Sequence, residues 1–241
     1  MNPIRALQMR SPVISGGSFA GMASLFAAAE KGGYYDFTDG TKLAVNADGS
    51  GGSPAVGSLV RWAVDQSPNG NHLRNTTGTV PTRRANGVET TGTGYGLFNM
   101  AGFGGWPANA PPYEVVVCLE QKTFTATGNI IVGLGGAGLV EGTSSGKVRF
   151  QSSTDYSAEY SPGLLTEYTV DGAFSGGTSQ FSFNNGAFAT IPVATATNDS
   201  LTLGSGTGGG ANTAVRVKRL VVINRLLTTA ERAGAYAWAT A

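Results

Sequence analysis

Glycine recurs in short runs between short apolar stretches, as at Gly16-Gly17, Gly32-Gly33, Gly51-Gly52, Gly104-Gly105, Gly135-Gly136 and Gly208-Gly209-Gly210. The 37 glycines show no Gly-X-Y period, which removes a collagen-like helix. Gly accepts positive φ without a Cβ clash, so a chain punctuated this often turns tightly and repeatedly. The apolar runs left between the turns suit strands. Many short strands separated by turn signals predict an all-β sandwich or barrel, and 241 residues lie within the range of one such unit.

Charged residues make up 13% of the chain against 41% hydrophobic, so a large core is available and much of the surface is uncharged. The net charge is +1 without a basic block, which argues against a nucleic acid partner. Arg83-Arg84 reads as a solvated strand end. Cys118 is the single cysteine and sits in the apolar run Glu114-Val-Val-Val-Cys-Leu119, as a buried small hydrophobe would. No stretch is long and apolar enough to span a bilayer. Residues 1–30 lack the compact apolar segment of a signal peptide.

Residues 18–31 read as a short helix, with Phe19, Met22, Phe26 and Ala29 at helical spacing and Gly32 as its left-handed cap. A hairpin is expected where Phe181-Ser-Phe183 meets Ala187–Ile191 across Asn184-Asn-Gly186, an Asn-Gly turn tolerant of positive φ. Thr228-Thr-Ala-Glu231 fits a capping box that opens a C-terminal helix. Ala230, Ala233, Tyr236 and Ala237 are the face expected to pack on a sheet. Trp62, Val64, Val115, Val117, Leu134, Leu203, Leu220 and Val222 are expected in the core.

Residue types that could carry chemistry are sparse. Gly133-Leu-Gly135-Gly-Ala-Gly138 matches a dinucleotide fingerprint in spelling, but no helical period follows it, so it reads as a turn. Gly204–Gly210 lacks the Gly-Lys-Ser/Thr ending of a phosphate loop. His72, the only histidine, follows the turn-rich Asp65-Gln-Ser-Pro-Asn-Gly-Asn71, and is expected with Asp65, Asn69 and Asn71 to prop that turn. A sugar hydrolase needs an acid and a base or nucleophile. The strand triplet Glu-x-Asp-x-x-Glu of jelly-roll glucanases does not occur, and Asp155 with Glu159 is a weak substitute. No enzyme activity, cofactor or metal ion is therefore expected. Aromatics in loops suit ligand stacking better: Phe103, Trp106 and Tyr113 bound a Gly/Pro-rich segment, with Tyr156 and Tyr160 as a second group.

Three segments together resemble concanavalin A-like, laminin-G-like jelly rolls. Gly57-Ser-Leu-Val-Arg-Trp-Ala-Val-Asp-Gln-Ser-Pro-Asn-Gly-Asn-His72 is similar to an early Trp, Asp, Ser-Gly-Asn-Gly-Asn signature, with Pro68 where the family usually has Gly. The Phe181–Ile191 hairpin resembles a late hairpin of the family. Ser200-Leu-Thr-Leu-Gly204 and Val217-Lys-Arg-Leu-Val-Val-Ile-Asn-Arg-Leu-Leu-Thr-Thr-Ala-Glu231 resemble its ending. Leu25-Phe-Ala-Ala-Ala-Glu-Lys-Gly-Gly-Tyr-Tyr-Asp36, with Thr41-Lys-Leu43 and Val56-Gly57, is similar to tail-associated and other virion proteins of bacteriophages.

The resemblance implies a two-sheet antiparallel jelly-roll sandwich over residues 33–241, preceded by an arm and short helix over 1–32. It implies a non-enzymatic virion structural protein, made in the bacterial cytoplasm, whose partners are other virion proteins or copies of itself. A host-surface glycan is a further expected partner, and a membrane is not. The alternative is a lectin-like carbohydrate-binding module, with a glycoside hydrolase behind both. The apolar face of Phe19, Met22, Leu25 and Phe26 is the expected assembly element, its other reading being a cover for the chain's own sheet.

Overall fold

A computed structural model of the chain describes residues 19–76, 79–92, 96–99, 112–123, 129–134, 137–142, 147–152, 155–156, 159–175, 178–191, 201–204 and 214–241. The first six strands are β1 (Gly32–Asp36), β2 (Leu43–Ala44), β3 (Trp62–Ala63), β4 (Leu73–Arg74), β5 (Thr82–Arg84) and β6 (Gly87–Glu89). Then come β7 (Phe98–Asn99), β8 (Tyr113–Gln121), β9 (Asn129–Leu134), β10 (Ala137–Gly142), β11 (Val148–Ser152) and β12 (Asp155–Tyr156). The last are β13 (Glu167–Phe174), β14 (Ser179–Phe183), β15 (Ala189–Ile191), β16 (Leu201–Leu203) and β17 (Val215–Ile223), followed by α1 (Thr229–Thr240).

The chain is a two-sheet antiparallel β-sandwich. One sheet, the eight-stranded one, runs β15-β14-β13-β8-β17-β6-β5, with β1 also paired to β17. The other, nine-stranded, runs β12-β11-β10-β9-β16-β7-β4-β3-β2. Side chains alternate across a strand, so β8 sends Tyr113, Val115, Val117 and Leu119 into the space between the sheets. Leu43, Ala63, Leu73, Val148, Leu201 and Leu203 meet them from the second sheet. On β17 the inward residues are Val215 and Val217, then Leu220 and Val222. The pairing with β8 slips between Val217 and Arg219, and this bulge moves the inward phase by one residue.

The outer face of the eight-stranded sheet is also covered. Val116, Cys118, Val221 and Ile223 lie beneath Leu227, Ala235 and Ala239 of the C-terminal segment and beneath Met22, Leu25 and Phe26. This second layer explains why β8 is apolar along nearly its whole length rather than alternating. The capping box of α1 forms: Thr228 accepts the Glu231 N–H, and the Glu231 carboxylate accepts the Thr228 N–H. The helix turns a different face inward from the one expected. Ala233 and Ala237 are exposed, while Ala235 and Ala239 are buried. An Arg232 ion pair to β8, described below, sets that rotation.

The helix expected over 18–31 is a single 3-10 turn, Met22–Phe26. Ala29 takes a φ of 63° and Gly32 opens β1 instead of capping a helix. A Cβ on Gly32 would overlap the Val222 carbonyl, so the β1–β17 approach requires glycine there. Of the expected core, Val115, Val117, Leu203, Leu220 and Val222 are buried, and the side chain of Leu134 lies outside the described residues. Trp62 and Val64 are only partly buried, because β3 presents Ala63 to the core and these two to its outer face.

Candidate functional site

The turn after β3 is a dense polar knot. Asp65 is buried, and its Oδ1 accepts the N–H groups of Tyr34 (3.1 Å) and Ser67 (2.8 Å). Its Oδ2 accepts the Ser67 hydroxyl (2.7 Å) and the Asn71 N–H (2.8 Å). Burial outweighs these four donors and raises the Asp65 carboxyl above its ordinary range. Asn69 donates to the carbonyls of Glu30 and Gly32, and Asn71 donates to the Gly32 carbonyl (2.7 Å). His72 accepts the Asp65 N–H on Nδ1 (3.1 Å), which places its proton on Nε2, and its ring packs on Trp62. The knot's bonds run within the turn itself and to the backbone of Glu30, Gly32 and Tyr34.

The candidate ligand aromatics separate. Phe103, Trp106 and the side chain of Tyr156 lie outside the described residues. Tyr113 does not face a ligand: it is fully buried, opens β8 and stacks on Phe174 at 4.2 Å. Its period-2 phase with Val115 and Val117 puts it between the sheets, where burial raises its hydroxyl well above the usual range. Tyr160 stands at the rim and joins both sheets. Its backbone exchanges two 2.8 Å hydrogen bonds with Val148 of β11, and its ring stacks on Phe183 of β14 at 4.6 Å. Both rings are partly exposed.

Asn184 fixes this rim. Its amide donates to the Tyr160 hydroxyl (2.6 Å), and its Oδ1 accepts the Thr169 N–H (2.9 Å). The hairpin turns on Asn184 and Asn185, with φ of 50° and 57°, and Gly186 donates back to the Phe183 carbonyl. Positive φ therefore falls on the two asparagines rather than on Asn-Gly, because Asn tolerates that region and these side-chain bonds hold it. The exposed Asn185 follows in the turn, and the Lys147–Glu159 ion pair (2.8 Å) joins the residues just before Val148 and Tyr160.

A buried ionic group escaped the sequence reading. Glu114 of β8 is fully buried, and Asp171 of β13 lies diagonally across on the same outer face, since Ala173 pairs with Glu114 and Val116 with Asp171. Arg232 of α1 reaches both carboxylates: Nε to Glu114 Oε1 (2.7 Å) and to Asp171 Oδ2 (3.2 Å), Nη2 to Glu114 Oε2 (2.9 Å). The Leu227 N–H also donates to Glu114 (2.8 Å), and Phe188 stacks over the guanidinium. Burial and then the Glu114 charge push Asp171 up to about 8. The legible signal was a lone Glu in an apolar strand, which demands a buried partner.

Several other expectations resolve. Of the dinucleotide-like glycines, Gly133 of β9 lies opposite Gly138 of β10 in an antiparallel pair, and Gly135 and Gly136 lie outside the described residues. Arg83 is no solvated end: its guanidinium covers Gly40 and donates to the Pro54 carbonyl. Phe19, Met22, Leu25 and Phe26, expected to face an assembly partner, pack on the chain's own outer sheet face and on α1, Phe19 partly buried and the other three buried. Apolar side chains this close to an uncovered apolar sheet face find it before any second chain does. Among the described residues no group of His, Cys, Asp and Glu could hold a metal ion, and no helix is long and apolar enough to cross a membrane.

No protein-family model and no curated protein sequence matches the chain. Solved structures do resemble it. Trypanosoma rangeli sialidase aligns at 18% identity and a TM-score of 0.54, over 80% of this chain and 35% of the sialidase. An α-L-arabinofuranosidase aligns at 12% identity and a TM-score of 0.60, over 90% and 64%. The binding domain of botulinum neurotoxin serotype D aligns at 11% identity and a TM-score of 0.53, over 87% and 52%. The chain thus spans about a third of the sialidase and about half of the toxin domain. At these identities the likeness establishes a β-sandwich fold.

Proposed function

We propose that the chain is a non-catalytic recognition and assembly module of a bacteriophage particle, with a concanavalin A-like sandwich whose Tyr160–Phe183 rim takes a host-surface glycan. One contrast carries the reading. The carboxylate pair that the fold brings together is sealed under α1 and tied to Arg232, whereas a stacked aromatic pair at the rim stays partly open. Glycosidase carboxylates stand about 5 Å or more apart so that a sugar or water fits between them; Glu114 and Asp171 instead share the Arg232 guanidinium. Partly open aromatic rings beside amides suit sugar binding, since a sugar's apolar face stacks while its hydroxyls pair. The sialidase and arabinofuranosidase neighbours fit a sandwich used around carbohydrate. The phage assignment rests on the sequence resemblance within residues 25–57.

A glycan array with the pure chain tests the binding half. Saturable binding that falls at least tenfold on Tyr160→Ala is the expected result. Release of new reducing ends from the same glycans would replace this reading with hydrolysis. Purified particles lacking the chain would remove the virion role and leave the lectin-like alternative.

A further inference from the structure

The layer over the eight-stranded sheet contains an uneven set of charges: two carboxylates, Glu114 and Asp171, against one guanidinium, Arg232. Glu114 is 0% exposed and Asp171 8%. Asp171 Oδ1 is buried without a hydrogen-bond partner, a position that an ionised carboxylate tolerates badly and a protonated carboxyl tolerates better. The other side chains noted around the group are uncharged: Ser182 opposite Asp171 on β14, and Phe188 over Arg232.

We propose that Glu114, Asp171 and Arg232 form a proton-operated latch, which holds α1 and the 3-10 turn on the sheet most tightly when Asp171 carries a proton. With that proton in place, Asp171 hydrogen-bonds Glu114 and the group balances as one carboxylate and one guanidinium. Without it, two like charges share a buried space with a single cation.

The sign of the effect follows from linkage. Asp171 is pushed up to about 8 in the closed layer, first by burial and then by Glu114, from an ordinary value of 3.8. Lifting the layer exposes Asp171 to water and releases its proton. Between about pH 4 and pH 8, lifting therefore becomes easier by up to about tenfold per pH unit. Above about 8 the closed state has lost the proton as well, and the gain stops.

Cys118 is a built-in reporter. It is the single cysteine, it is fully buried, and it lies on the sheet face that this layer covers. Burial pushes its thiol up to about 12, so it reacts only when the layer lifts. The test is the rate of Cys118 modification by an aromatic disulfide reagent, from pH 6 to 9, on the full chain. Thiolate formation in the lifted state raises the rate about tenfold per pH unit up to about pH 8 and then flattens, because an exposed thiol titrates at about 8.5, and the latch adds its own slope up to pH 8. The wild-type rate divided by that of Asp171→Asn should rise about tenfold per unit between pH 6 and 8, then level. Glu114→Gln, which removes the Glu114 charge but leaves Asp171 buried beside Arg232, should show a smaller pH rise than wild type and serves if Asp171→Asn fails to fold. Parallel profiles overturn the latch, as does a wild-type slope no steeper than thiolate formation. Labelling that rises only together with loss of the β signal in circular dichroism also overturns it.

Discussion

The ring of Phe19 lies directly on Gly234 of α1, so close that a Cβ at Gly234 would overlap the ring. Helix propensity alone predicts a gain of about 1 kcal/mol for Gly234→Ala. The contact predicts the opposite sign, because the overlapped atoms include Phe19 Cγ at the base of the ring, not just its far end. Gly234→Ala should lower stability in urea, and Phe19→Ala combined with it should recover the helix gain. A stabilised single variant would show that Phe19 has room to move.

Asp65 serves four donors from three residues, and it ties the turn after β3 to β1. Removing a buried acceptor leaves each donor unpaired at about 1–3 kcal/mol. Asp65→Ala should therefore cost about 3 kcal/mol or more in a denaturant titration. Asp65→Asn keeps the shape but turns one acceptor into a donor, and should fall between the two. A loss within the range of an ordinary surface change, about 0.5 kcal/mol, would contradict the structural role assigned to this turn.

Much of the architecture was legible because turn chemistry and capping are local. The capping box at Thr228 and Glu231 and the turn between β14 and β15 need only neighbouring residues. Phase was harder. Trp62-Ala63-Val64 is apolar throughout, so nothing in it says that Ala63 faces the core. Tyr113 looked like the end of a Gly/Pro-rich loop, although its alternation with Val115, Val117 and Leu119 already placed it inside. The latch group was least legible. It joins positions 114, 171 and 232, and only strand order brings them together.

The start of α1 offers a test of opposite pH sign. Glu231 is lowered to about 2 from 4.5, first by the Arg225 hydrogen bond, which outweighs burial, and further by its Thr228 bonds and the Arg225 charge. A lowered carboxyl contributes stability that is present above 4.5 and lost as pH falls towards 2. Thr228→Ala should cost about 1 kcal/mol at neutral pH. Glu231→Gln should reduce the acid-side loss of stability below pH 4.5 while retaining part of the cap, the lowered Glu89 keeping a share of that loss. Thermal melts of the three proteins between pH 3 and 7 check both statements. An unchanged acid limb in Glu231→Gln would place the proton uptake elsewhere.

The Glu114–Arg232 pair separates the cost of breaking a buried ion pair from the worth of having one. Arg232→Met leaves Glu114 and Asp171 with no cation among the contacts described, and breaking a buried pair costs about 3–5 kcal/mol. Removing the acid as well takes away the uncompensated charge. Leu227 loses its acceptor in that variant, a cost of about 1–3 kcal/mol, but the remaining Asp171 returns to an ordinary buried neutral carboxyl. The double variant Glu114→Met with Arg232→Met should therefore be more stable than Arg232→Met alone, and closer to wild type. Urea titrations of the three proteins at pH 7 give the comparison. A double variant less stable than the single one would mean that Glu114 holds the layer mainly through the Leu227 N–H, with Arg232 a secondary partner.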